Sequence, residues 1–179
     1  MSPSRPIGAL LARAYSQTPN LPIERCHIGA DAALQLAAFA AGRCGASCLA
    51  ISDANTHSIG TIVLDSLRRA GKAITEHVFD GPHVDATAEL GDRVAELGAR
   101  AEFVVAIGSG TLCDLAKHAG TKLKKPVLLY ATAASMNGYT SGITAVKLRG
   151  LKRTVPCTPT LGVFADPEIV AAAPQRMAA

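Results

Sequence analysis

The feature that most limits what this chain can fold into is an alternation, over residues 47 to 131, of short apolar runs with amphipathic stretches. Ser47 to Ser52 is a compact apolar run ending at Asp53, the pattern of a buried strand. Thr56 to Ala70 follows with Ile59, Val63 and Leu67 on one helical face and Gly71 as a stop. Ile74 to Phe79 reads as a second strand. Asp85 is expected to open a third helix, with Leu90, Val94 and Leu97 turned inward and Asp85, Glu89, Asp92, Arg93 and Glu96 on a solvated face. Phe103 to Ile107 is the clearest strand, and it runs straight into Gly108-Ser109-Gly110 and a helix from Thr111 to about Ala119. Val127 to Ala131 is a fourth strand. Strand and helix in strict turn predict an α/β fold: a Rossmann-like parallel sheet with helices on both faces and right-handed crossovers.

The flanks are less regular. Residues 1–30 read as an irregular lead-in with a short strand at Ile23 to Ile28, and residues 31–179 as the domain proper. Asp31 stands where an N-cap belongs, before an Ala-rich helix from Ala32 to Arg43 that is apolar on nearly every side and so expected to be well buried, with Gly45 ending it. Past residue 131, Thr144 to Leu148 and Lys152 to Val155 flank Arg149-Gly150-Leu151 as a β-hairpin. Leu161 to Ala165 is a last strand, and Asp166-Pro167 opens a short helix.

Composition removes several function classes. With 18 Lys and Arg against 14 Asp and Glu, 4% aromatic residues and no Trp, the chain lacks the basic and aromatic surface that binds nucleic acid. No apolar run has the length of a membrane span, and Arg13 cuts the run Gly8 to Ala12 short of a signal peptide's apolar core. Five Cys without a regular framework favour a reducing, cytoplasmic setting. Cys44 and Cys48 have no second pair that would complete a metal site.

Three loops stand where parallel sheets bind ligands, beyond the carboxyl ends of strands. In Asp53-Ala54-Asn55-Thr56, the carboxylate can accept the hydroxyls of a ribose, or simply cap the next helix. In Gly108-Ser109-Gly110-Thr111, glycines let backbone approach a phosphate, and helix-start N–H groups favour negative charge. Thr111 with Asp114 also fits a capping box, and a tight turn without a ligand is the plainer reading. In Ala131 to Ser141, hydroxyls and an amide crowd together, as a binding loop or as a polar surface.

Two of these segments, Ile107-Gly108-Ser109-Gly110-Thr111-Leu112-Cys113-Asp114-Leu115-Ala116-Lys117 and Ala131-Thr132-Ala133-Ala134-Ser135-Met136-Asn137-Gly138-Tyr139-Thr140-Ser141, resemble the sn-glycerol-1-phosphate dehydrogenases. So do Asp53-Ala54-Asn55-Thr56 and the stretch from Leu161 to Arg176. That family sits in the superfamily of glycerol dehydrogenase, iron-containing alcohol dehydrogenase and dehydroquinate synthase. The resemblance implies a domain that binds NAD or NADP and a small phosphorylated polyol as substrate. It implies that Asp53 meets the adenosine ribose, that Gly110, Thr111 and Asp114 belong to the diphosphate loop, and that Asn55, Gly108, Ser109, Thr132, Ser135 and Ser141 also contact the cofactor. Asn137 stands where the family usually has a substrate-binding Asp, and Ser109 where a Gly is common.

The family's catalytic divalent metal, often zinc, is held by one Asp and two His in a helical C-terminal domain. Those ligands are expected beyond Ala179, so no catalytic or metal-binding residue is assigned within the chain, and none of His27, His57, His77, His83 and His118 matches a ligand position. The chain is therefore expected to be a fragment that does not turn over substrate well alone, and to self-associate through a bared apolar face as a homo-oligomer. Another polyol dehydrogenase, a dehydroquinate synthase-like enzyme and a non-catalytic nucleotide-binding module remain alternatives.

Overall fold

The computed structural model describes residues 22–81 and 83–177. The apolar run and most of the lead-in read at residues 1–21 lie outside the described residues, as do residues 178–179. The elements in chain order are β1 (Arg25–Ile28), α1 (Ala32–Arg43), β2 (Ser47–Asp53), α2 (His57–Arg69), β3 (Ala73–Phe79), α3 (Ala88–Leu97), β4 (Phe103–Gly108), α4 (Gly110–Leu123) and β5 (Val127–Ala131). A 3₁₀ turn (Gly138–Thr140), β6 (Ile143–Leu148), β7 (Leu151–Pro156), β8 (Gly162–Ala165), α5 (Pro167–Ala171) and a last 3₁₀ turn (Gln175–Met177) follow.

Six strands form one sheet in the order β1-β8-β5-β4-β2-β3, and every pair in it is parallel. Residues 25–28, inside the stretch read as a lead-in, are its outermost strand. Because successive side chains of a strand point to opposite faces, the central strand feeds two cores. Phe103, Val105 and Ile107 pack with Leu36, Val63 and Leu67 of α1 and α2. Val104 and Ala106 pack with Val94, Leu112, Leu115 and Ala119 of α3 and α4. Such a double-sided sheet is why β4 and β5 are apolar without alternation. β6 and β7 form a separate antiparallel hairpin whose turn, Arg149 at φ 51° and Gly150 at φ 79°, has the two positive φ values of a two-residue hairpin connection.

Three local expectations are corrected. Asp85 does not open α3; Thr87 caps it, accepting from the Leu90 N–H at 3.0 Å, while Asp85 pairs with Lys147 at 2.7 Å and is held below the usual carboxylate range by that hydrogen bond. Asp31 occupies the N-cap position of α1 without capping it, because its carboxylate is taken by His27 at 2.6 Å and Gln35 at 2.9 Å. α1 is buried along one face only: Leu36 and Ala40 are fully covered, but Leu34 is 59% exposed.

Burial of thiols sets an alkaline limit on this core. Desolvation pushes Cys48 and Cys113 up to about 12, and Cys44 up to about 11, from an ordinary value near 9.0. Unfolding exposes these groups to water, where they ionise at the lower value. The stability they contribute is complete below about pH 9 and is lost as pH rises beyond it. The thermal midpoint should thus fall between pH 9 and pH 11, and a midpoint flat across that range would contradict this account.

Candidate functional site

The sheet order places a topological switch between β2 and β4. From β2 the chain moves outward to β3, then returns past β2 to β4 and continues to β5. The loops leaving β2 and β4 therefore diverge and leave a crevice at the strand ends. The two loops are tied across it: the Thr56 hydroxyl donates to the Ile107 carbonyl at 2.9 Å and accepts from the Asp53 N–H at 3.1 Å. Asp53 Oδ1 accepts from the Asn55 and Thr56 N–H groups at 3.0 and 2.9 Å, so the carboxylate closes its own turn, and its second oxygen makes no hydrogen bond among the described residues.

At the end of β4, Ser109 is the N-cap of α4 but its own side chain makes no capping hydrogen bond. The first-turn N–H groups of a helix have no partner within it, and its dipole is positive there. The Ser135 hydroxyl reaches the Gly110 N–H only at 3.4 Å. A Cβ added at Gly110 would stand 2.5 Å from Met136 Sδ, so this glycine is what allows backbone and loop to meet. The capping box expected of Thr111 and Asp114 is not made. Asp114 is instead 8% exposed beneath the hairpin, its carboxyl pushed up by burial and drawn back by the Thr144 hydroxyl, Lys117, the Ala145 N–H and Lys152.

Two cavities open on either side of Ser109. One, of about 480 Å³, is lined by Asp53, Asn55, Thr56 and Thr132, with Ala173 and Arg176 from the last segment of the chain. The other, of about 360 Å³, is lined by Gly110, Thr111, Asp114, Ser135, Lys147 and Lys152, among others. Of the residues picked out from sequence, Asp53, Asn55, Ser109, Gly110, Thr111, Asp114, Thr132 and Ser135 thus converge. Gly108, Asn137 and Ser141 line neither cavity. Gly108 lends its carbonyl to the Thr132 N–H at 3.2 Å, and Ser141 turns inward, its hydroxyl 3.3 Å from Lys117 Nζ.

Sequence reasoning gave no role to Lys152, Lys147 or Arg176. The two lysines are brought in by the register of the hairpin, which sets Lys147 opposite Lys152. Lys147 is neutralised by Asp85, whereas Lys152 has no ion-pair partner among the described residues and faces the cavity. No three His, Cys, Asp or Glu side chains come together as a metal site among the described residues, so these do not fit the divalent metal that the resemblance implies.

The structure is thus an α/β domain of the doubly wound kind, with ligand-sized cavities at the strand ends where such sheets bind their ligands. A sequence profile described as iron-containing alcohol dehydrogenase matches residues 27–174, and the chain belongs to that family. Over 171 residues it is 28% identical to the glycerol-1-phosphate dehydrogenase [NAD(P)+] of Bacillus velezensis, covering 92% of this chain and 43% of that protein. The enzyme of the same name from Bacillus subtilis is 29% identical, with coverage of 97% and 46%. The chain thus spans less than half the length of these curated relatives. In structure it is similar to glycerol dehydrogenase from Schizosaccharomyces pombe, with a TM-score of 0.75 and 20% identity over 87% of this chain and 40% of that one. NADH-dependent butanol dehydrogenase from Thermotoga maritima gives a TM-score of 0.77 at 15% identity, covering 89% and 46%. These last two likenesses concern the fold.

Proposed function

We propose that this chain is the dinucleotide-binding part of a dehydrogenase that interconverts glycerol 1-phosphate and dihydroxyacetone phosphate. The observation that carries the reading is the pair of cavities meeting at Ser109, on either side of the first N–H groups of α4. A dinucleotide has that shape: two nucleoside halves joined by a diphosphate. In this reading Gly110 and Thr111 give their N–H groups to the diphosphate. Asp53, Asn55 and Thr132 hold the adenosine half, and Ser135 with Lys152 the nicotinamide half. A bound nicotinamide would supply the hydride acceptor or donor; these residues bind and orient it. Names given to the two Bacillus relatives support the substrate class. Asn137 is exposed at the start of the 3₁₀ turn, where it is free to meet a polyol phosphate. The reading places the chain in the cytoplasm, and among the described residues no helix is long and apolar enough to cross a membrane. Exposed Leu34, Ile62, Ile143 and Leu151 offer apolar surface for a homo-oligomer.

Asp53 decides between cofactors. Its unbonded oxygen suits a pair of free ribose hydroxyls and repels a 2′-phosphate, which favours NAD over NADP. Titration with NADH, followed by nicotinamide fluorescence, should show saturable binding at least about tenfold tighter than NADPH, the effect of one unfavourable charge contact near a surface. Asp53→Asn should bring the two nearer to parity. A chain that binds neither nucleotide would end this reading.

A further inference from the structure

Beneath the loop that follows β5 lies a cation that the nucleotide site does not touch. Lys117, on α4, is 0% exposed. An ammonium has three donors and no acceptor, and burying one costs heavily unless all three are met. Here each finds a partner in one short stretch: the Gly138 carbonyl at 2.9 Å, the Ser141 hydroxyl at 3.3 Å and the Ile143 carbonyl. These groups bracket the 3₁₀ turn Gly138–Thr140, which begins just past Asn137. The same turn is held at Tyr139, whose hydroxyl donates to the Ala133 carbonyl at 2.7 Å and whose carbonyl accepts from Thr160 at 3.0 Å. Lys117 therefore joins the helix that starts at the Gly110 turn to the loop that carries Ser135, Met136 and Asn137.

We propose that Lys117 is a positioning residue: it pins the Gly138–Ile143 segment to α4, and so holds the loop over the nicotinamide-side cavity in its binding shape before any ligand arrives. A preformed loop spares the ordering that binding would otherwise have to supply. The inference rests on the dinucleotide reading above, and it makes a distinction between the ligand's two halves. ADP fills the Asp53 side and the glycine turn; NADH adds the nicotinamide and its ribose, which meet the pinned loop.

Lys117→Met keeps the length of the side chain and removes its donors. It should weaken NADH about tenfold, the effect of losing charged hydrogen bonds that order a segment, while ADP affinity changes by less than about twofold, as for sites that share no contact. Amide hydrogen exchange of the unliganded variant should quicken over 138–143 and stay unchanged over β4 and β5. Lys117→Arg, which retains charge and donors, should recover part of the NADH affinity. A lysine serving general stability alone would weaken both ligands together and quicken exchange throughout, and that result would overturn the proposal, as would unaltered NADH binding. Should Lys117→Met fail to fold, Ser141→Ala removes one of the three acceptors and should give the same selectivity at about threefold, and equal loss of both ligands would again refute it. If the unsubstituted chain binds neither ligand, the dinucleotide reading fails by itself; exchange confined to 138–143 then still establishes the pinning, and its absence defeats it.

Discussion

Gly110→Val should reduce NADH affinity at least about a hundredfold while the chain stays folded, as read by nicotinamide fluorescence alongside circular dichroism. The loss has two physical sources. A Cβ at this position would lie 2.5 Å from Met136 Sδ, driving the thioether towards the cavity that Gly110 and Ser135 line. The valine methyl groups would then stand where an anion must approach the N–H groups of the α4 start, and a hydrogen bond to a charged group together with its dipole contribution accounts for about 2–4 kcal/mol. The fold should survive because the obstructing atom belongs to a flexible, partly buried methionine and because valine is a better helix former than glycine. Retention of NADH affinity in this variant would remove the glycine turn from the site.

Phe164→Ala should lower unfolding free energy by about 3–5 kcal/mol, the usual cost of emptying a buried aromatic position. Phe164 is 0% exposed in β8, with its ring centroid 5.9 Å from that of Phe39 on α1. It also lies against the Gly162 backbone, where an added Cβ would stand 2.9 Å from its ring. The void would open between the sheet and α1, in a strand that pairs with both β1 and β5. Since domains of this kind are stable by about 5–15 kcal/mol, chemical denaturation should find the midpoint sharply reduced. A loss below about 1 kcal/mol would mean that α1 closes over the gap.

The α/β alternation was legible because its strands are buried on both faces, so Phe103 to Ile107 and Val127 to Ala131 are apolar without a break. The loops at their carboxyl ends were legible as chemistry for the same reason: polar and glycine residues stand out at the end of such runs. What escaped was decided by contacts far along the chain. Asp114 fits a capping pattern with Thr111, yet the hairpin settles over it and buries it. Lys117 is a charged residue in a helix, a position that ordinarily faces water; its partners, Gly138, Ser141 and Ile143, lie more than twenty residues away. Lys152 reaches the cavity through the register of the hairpin, which no local pattern states. Asp85 is acidic and precedes a periodic stretch, as a helix start would, but Thr87 is placed to accept from Leu90, and Lys147 claims the carboxylate.

The bond from the Thr56 hydroxyl to the Ile107 carbonyl is a strut of fixed span between neighbouring strand ends. It acts as a ruler, fixing the spacing of the two strand ends at that point of the mouth. The hairpin bounds one of the two cavities beside that mouth, and the terminal segment lines the other.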